Sequence, residues 1–158
     1  METIRAKYLD DNGSKQYIDL LALKKLPPKL DPAAKPFVEQ ITWAINTSRE
    51  DSAAVWIDRA LADAPADWRI YYLSGLLSNR REQYAGAVTV LQSSLSLAPD
   101  NETARALIYL FLAESHEHQG HYGQAKQHYM TALNLEPESP EARSGLKRLM
   151  LLTSAGSE

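Results

Sequence analysis

Three segments of this chain repeat one pattern, and that self-similarity limits the possible folds more than any other feature. Ala53–Pro65 reads AAVWIDRALADAP, Ala87–Pro99 reads AVTVLQSSLSLAP, and Ala125–Pro137 reads AKQHYMTALNLEP. The first two start 34 residues apart and the last two 38. Each frame opens on alanine and places a large apolar residue four later: Ile57, Leu91 and Tyr129. A small residue follows three later (Ala60, Ser94, Ala132), then a leucine (Leu61, Leu95, Leu133), and a proline closes the frame (Pro65, Pro99, Pro137). Small residues seven apart share one helix face, because two turns cover about 7.2 residues. They admit a neighbouring backbone while the large residue between them fills space. Proline cannot continue the hydrogen-bond ladder and stands just past the helix end. Each frame is therefore expected to be the second helix of a helical hairpin.

The first helices precede these frames. Tyr71, Leu73, Gly75 and Leu76 lead into Tyr84, and Tyr109, Leu112 and Ala113 lead into Gly120 and Tyr122. Gly75 and Ala113 are small where the helices of a hairpin cross, and Gly120 suits a turn needing positive φ. With these residues in place the chain resembles the tetratricopeptide repeat family, a 34-residue helix–turn–helix unit. The resemblance covers residues 66–137 most fully, extends to 34–65 and 138–152, and leaves out 1–33. It implies an all-α solenoid of about three hairpins, at about 34–65, 66–99 and 100–137, wound as a right-handed superhelix. In the first unit Phe37 replaces the first aromatic, Ile41 stands where a small residue is expected, and Glu50 replaces the tyrosine before the alanine. That hairpin is expected to be splayed. The four extra residues of the third unit, around Glu102–Arg105, are expected to lengthen its first helix to roughly Asn101–Gln119.

Ser139, Pro140 and Glu141 read as an N-cap, a first-turn proline and a dipole-matched acid. They predict a capping helix over 138–152, with Leu146, Leu149, Met150 and Leu152 covering the last hairpin. Residues 153–158 read as a frayed tail. In the N-terminal extension, 1–33, Asp10-Asp11-Asn12-Gly13 is compatible with a β-hairpin between TIRAKYL and KQYIDLL. The alternative is a helix over 15–26 capped by Ser14, packing Tyr17, Leu20, Leu21 and Leu23 on the first repeat. The helix is preferred because LLALKKL holds strong helix formers and no β-branched residue. Pro27-Pro28 and Asp31-Pro32 then form an extended linker.

Composition narrows the chemistry. With 44% hydrophobic and 23% charged residues, the 158-residue chain has the balance of one folded domain. No apolar run reaches the roughly 20 residues that span a bilayer. The opening Met-Glu-Thr-Ile-Arg-Ala-Lys has no apolar core of a signal peptide, so a cytoplasmic location is expected. Without cysteine there is no disulfide framework, thiolate metal site or thiol nucleophile, and a net charge of −3 gives no footprint for nucleic acid. His116, His118, His121 and His128 cluster, but at no zinc-binding spacing; His116 takes the place of a packed tyrosine in the family. Neither a nucleophile elbow nor a phosphate-cradling loop is present. No catalytic residue, cofactor or metal is expected. Asn12, Asn46 and Asn101 each open a glycosylation-like triplet, read as chance.

What remains is a surface. The resemblance implies that first helices line a concave groove, with Arg69, Tyr72, Leu76, Asn79 and Arg80 facing it from one unit. Leu107, Leu110, Phe111, Glu114 and His118 face it from the next. Tyr72, Leu76, Leu107 and Leu110 would form an apolar stripe. Three readings stand: a partner-binding groove, which is preferred, a groove filled by the N-terminal segment, and plain core. Family members that grip the C-terminal carboxylate of a chaperone do so with basic and asparagine side chains. This chain has Val38, Thr42, Leu73, Leu107 and Phe111 at the matching positions, which disfavours that specialisation. The expected function is a non-catalytic adaptor or scaffold binding a protein partner in that groove, through an amphipathic helix or an extended apolar peptide. Its rivals are a small secretion-type chaperone for an apolar substrate and a subunit that self-associates through its N-terminal segment or C-terminal helix.

Overall fold

The computed structural model describes residues 18–63 and 66–156. Within them lie eight helices and no strand: α1 (Leu20–Lys25), α2 (Lys35–Asn46), α3 (Glu50–Asp63), α4 (Trp68–Arg80), α5 (Tyr84–Leu97), α6 (Glu102–His118), α7 (Tyr122–Leu135) and α8 (Pro140–Gly156). α2/α3, α4/α5 and α6/α7 are antiparallel hairpins, and α8 lies against α7. The turns inside the three hairpins are alike. Ser48, Glu82 and Gly120 have φ of 60°, 60° and 79°. The next N–H, from Arg49, Gln83 or His121, returns to the carbonyl of Ala44, Ser78 or His116 at 2.7–2.9 Å. This is the Schellman closure, which satisfies carbonyls the helix end leaves bare. Only the third turn uses glycine.

Small residues set how closely the hairpins pack. A Cβ at Gly75 would overlap Leu91, which is fully buried. Ser94 takes the small position of α5 and donates its hydroxyl to the Trp68 carbonyl at 2.8 Å. The first hairpin packs less closely than the other two, because Ile41 fills the site held elsewhere by Gly75 and Ala113. α6 has 17 residues against 13 in α4, so the four-residue insertion is absorbed as an extra helical turn. Asn101 caps it by accepting the Ala104 N–H at 2.9 Å.

The ends depart from expectation. α8 is capped by Ser139, whose hydroxyl accepts the Ala142 N–H at 3.2 Å, and it continues to Gly156 instead of stopping at 152. Leu149 is fully buried and Leu146 partly so, but Met150 and Leu152 are exposed. At the other end the helix is shorter than 15–26. Asp19 caps it, accepting the Ala22 N–H at 3.1 Å, and it spans only Leu20–Lys25. Leu23 is buried and Leu20 half-buried, while Leu21 points to solvent. Ser14, Tyr17 and the turn signal at 10–13 lie outside the described residues. No helix among the described residues is long and apolar enough to cross a membrane.

Candidate functional site

The first helices α2, α4 and α6 stand side by side, and residues three, four or seven apart on each share a face. On α4 that face runs from Arg69 through Tyr72 and Leu76 to Asn79 and Arg80. Arg69 is not on its surface. Its side chain is fully buried and paired with Asp67 at 2.8 Å. The guanidinium donates to the carbonyls of Leu23 (2.9 Å) and Pro28 (2.6 Å) and to that of Leu26. Trp68 Nε1 donates to the Pro27 carbonyl at 3.0 Å. Four carbonyls of the segment 23–28 are thus held by two adjacent side chains of α4. The expected linker is instead a strap bound across the start of α4. Further back, the Asn46 side chain on α2 accepts the Ile18 N–H at 2.8 Å and donates to its carbonyl at 3.0 Å, while Lys24 pairs with Glu39 at 2.7 Å. Asn46 and Asn101, two of the glycosylation-like asparagines, therefore have structural work to do.

The rest of the predicted stripe is more buried than expected. Tyr72, Leu76, Leu110 and Phe111 are each less than a tenth exposed, and the Tyr72 and Phe111 rings meet edge to face at 5.7 Å. Leu107 is partly exposed. Leu73, compared above with clamp positions, is fully buried core. Arg80 turns back along the repeat and donates to the Ile45 carbonyl at 2.6 Å; burial lowers its pKa, opposed by nearby Glu50. His118 is exposed and stacks on Tyr84 with centroids 4.6 Å apart.

Polar groups on this face are unevenly satisfied. Asn79 Oδ1 accepts the Ser115 hydroxyl at 2.8 Å, whereas its buried Nδ2 has no partner. Thr42 Oγ1, on α2, is likewise buried without a partner. Glu117 is fully used: Arg148 of α8 grips it at 2.5 and 2.7 Å and the Tyr129 hydroxyl donates to it at 2.7 Å. Burial works against the charge on Glu117, but these hydrogen bonds outweigh it and leave its pKa lowered. Glu114, one turn before, makes no hydrogen bond or ion pair. Burial pushes its carboxyl up to about 7, reinforced by Glu117 and Glu141 and opposed by Arg148. Sequence reasoning named Glu114 and Asn79 among the expected groove residues. It missed Thr42 as an orphan and Trp68 and Asp67 as part of the strap's anchor; Asp67 two residues before an arginine was the only local signal.

The histidines do not assemble a metal centre. His116 is buried with Nδ1 unpartnered, stacked on His128 at 5.3 Å and tilted against His121 at 5.8 Å. Among the described residues no group of three or more His, Asp or Glu could hold a metal ion.

Residues 79–149 match the family model of the tetratricopeptide repeat. A curated relative, the BBSome complex member BBS4 of Xenopus tropicalis, is 30% identical over 110 residues, covering 69% of this chain and 20% of that protein. The chain thus spans about a fifth of that relative's length. The first repeat domain of Spaghetti (RPAP3) bound to the HSP90 peptide SRMEEVD is similar in fold, with a TM-score of 0.70 and 16% identity over 77% of this chain and 94% of that one. The Arabidopsis OM64 domain has a TM-score of 0.67 and 20% identity over 74% and 93%. The second repeat domain of human RPAP3, in complex with the HSP70 peptide SGPTIEEVD, has a TM-score of 0.66 and 17% identity over 75% and 95%. At these identities the likeness to solved structures shows the fold alone.

Proposed function

Because this chain is a tetratricopeptide-repeat protein, we propose that it is a non-catalytic protein-interaction module whose concave face holds an extended segment of a partner protein. The observation that carries the reading is the strap. Arg69 and Trp68 hold four backbone carbonyls of residues 23–28 without reading their side chains. The start of α4 is therefore already a receptor for the end of α1 and the irregular chain after it, used in cis. Beyond the strap the same face continues over Leu107, Asn79 and Glu114, and that stretch is where a partner segment would lie. The solved neighbours in complex with HSP90 and HSP70 peptides lend support by fold. Fold alone does not name the partner.

Site-specific photocrosslinking tests the placement. A benzophenone amino acid at Leu107, on the concave face, is compared with one at Val55, which is about half exposed on the second helix α3. Adducts to another protein from position 107, and none from 55, are the expected result. The reverse pattern would move the interaction to the convex side. Adducts only to this chain's own residues would show that the groove is filled from within.

A further inference from the structure

We propose that the concave face selects an extended peptide carrying a lysine or arginine beside an apolar residue, with Glu114 receiving the cation and Asn79 Nδ2 donating to a backbone carbonyl of the peptide. This rests on the concave-face reading above and specifies its ligand. The inference follows from which charges are already spent. Arg69 is consumed by Asp67 and the strap. Arg80 donates to the Ile45 carbonyl. Arg148 and Glu117 satisfy each other. Glu114 is the one acid among the predicted groove residues, and it makes no hydrogen bond or ion pair among the described residues. Its nearest charged neighbours include two more acids, Glu117 and Glu141, against the single committed cation Arg148.

A carboxyl in such a place is poorly suited to accept an acidic ligand and well suited to gain a cation. Buried polar atoms are nearly always paired, so the orphaned Asn79 amide on the adjacent helix α4 is a second, independent sign of a missing partner. Asn79 and Glu114 stand on adjacent first helices, α4 and α6, whose side chains meet where the Ser115 hydroxyl donates to Asn79 Oδ1. The apolar neighbour of the cation would rest on Leu107, which keeps part of its surface open. An extended backbone is favoured over a helix, because a helix satisfies its own carbonyls and would leave Asn79 unpaired.

The test is a phage-displayed library of random nine-residue peptides, selected in parallel on wild type, Glu114→Gln and Glu114→Lys. Peptides that no longer bind a Leu107→Glu variant are taken as groove ligands. Wild type should enrich Lys and Arg severalfold above their library frequency, next to an apolar residue. Glu114→Gln should abolish that bias and Glu114→Lys should convert it to Asp and Glu. Groove ligands without a cationic bias, or with the same bias on all three proteins, would overturn the inference and leave the concave-face reading standing. If no enriched peptide is sensitive to Leu107→Glu, both fall.

Discussion

Glu114→Gln is expected to make the protein more stable, by an amount that depends on pH. Glutamine has the shape of the protonated carboxyl and cannot ionise. In the folded chain the Glu114 carboxyl is pushed up to about 7 from an ordinary 4.5, because burial disfavours its charge and Glu117 and Glu141 repel it more than Arg148 of α8 attracts it. It also faces the Tyr129 hydroxyl of α7. A carboxyl whose folded pKa is raised binds more protons folded than unfolded, so the contribution of Glu114 to stability falls as pH rises from 4.5 to 7 and levels off above. At about 1.4 kcal/mol per pH unit, the full loss is about 3 kcal/mol. The variant escapes it. The stability gap between variant and wild type should therefore widen by about 2–3 kcal/mol between pH 5 and pH 8. That corresponds to roughly 5–10 °C in Tm for a chain of this size. Urea unfolding followed by circular dichroism at the two pH values measures it directly, and groups not coupled to Glu114 cancel in the difference. A gap that is constant with pH would refute the reasoning, and with it the idea that Glu114 is held in the groove at a cost to the fold.

Gly75→Ala should destabilise by roughly 1–3 kcal/mol in urea melts, because its methyl group overlaps the buried Leu91. Arg69→Met should cost about 3–5 kcal/mol by leaving Asp67 charged, buried and unpaired. Limited proteolysis should then cleave first within residues 18–33, and Arg69→Lys should not restore resistance because a lysine cannot hold three carbonyls and a carboxylate at once. Glu82→Gly should stabilise by roughly 0.5–1 kcal/mol in thermal melts, since φ of 60° strains any residue with a Cβ. His116 and His128 both have pKa values lowered, chiefly by burial and then by a neighbouring imidazole (His121 for His116, His116 for His128). A lowered histidine binds fewer protons folded than unfolded, so the contribution of these two rings to stability falls as pH drops below 6.5, opposite in sign to that of Glu114, and His128→Gln should lessen that part of the pH dependence relative to wild type in urea titrations at pH 5 and 7.

The sequence by itself determined the periodic part of this protein. The three alanine-to-proline frames set the helix pairs, because helical repeat and proline sterics act within a few residues and need no knowledge of the rest of the chain. Gly75 and Ala113 announced close crossings, Ile41 a wider one, and Ser139-Pro140 the start of the last helix for the same local reasons. The residues expected to face the groove followed from that register. Tertiary structure decided what becomes of them. Whether Arg69 is a groove cation or a buried anchor depends on residues 23–28, over 40 positions away, and no spacing rule encodes that contact. The same holds for the two acids a turn apart on α6. Glu117 meets Arg148 from another helix and is satisfied, while Glu114 gains no hydrogen bond among the described residues and is pushed toward neutrality. Local patterns specify where a side chain sits on its helix; desolvation and pairing, which settle what it can bind, are set only when distant segments come together.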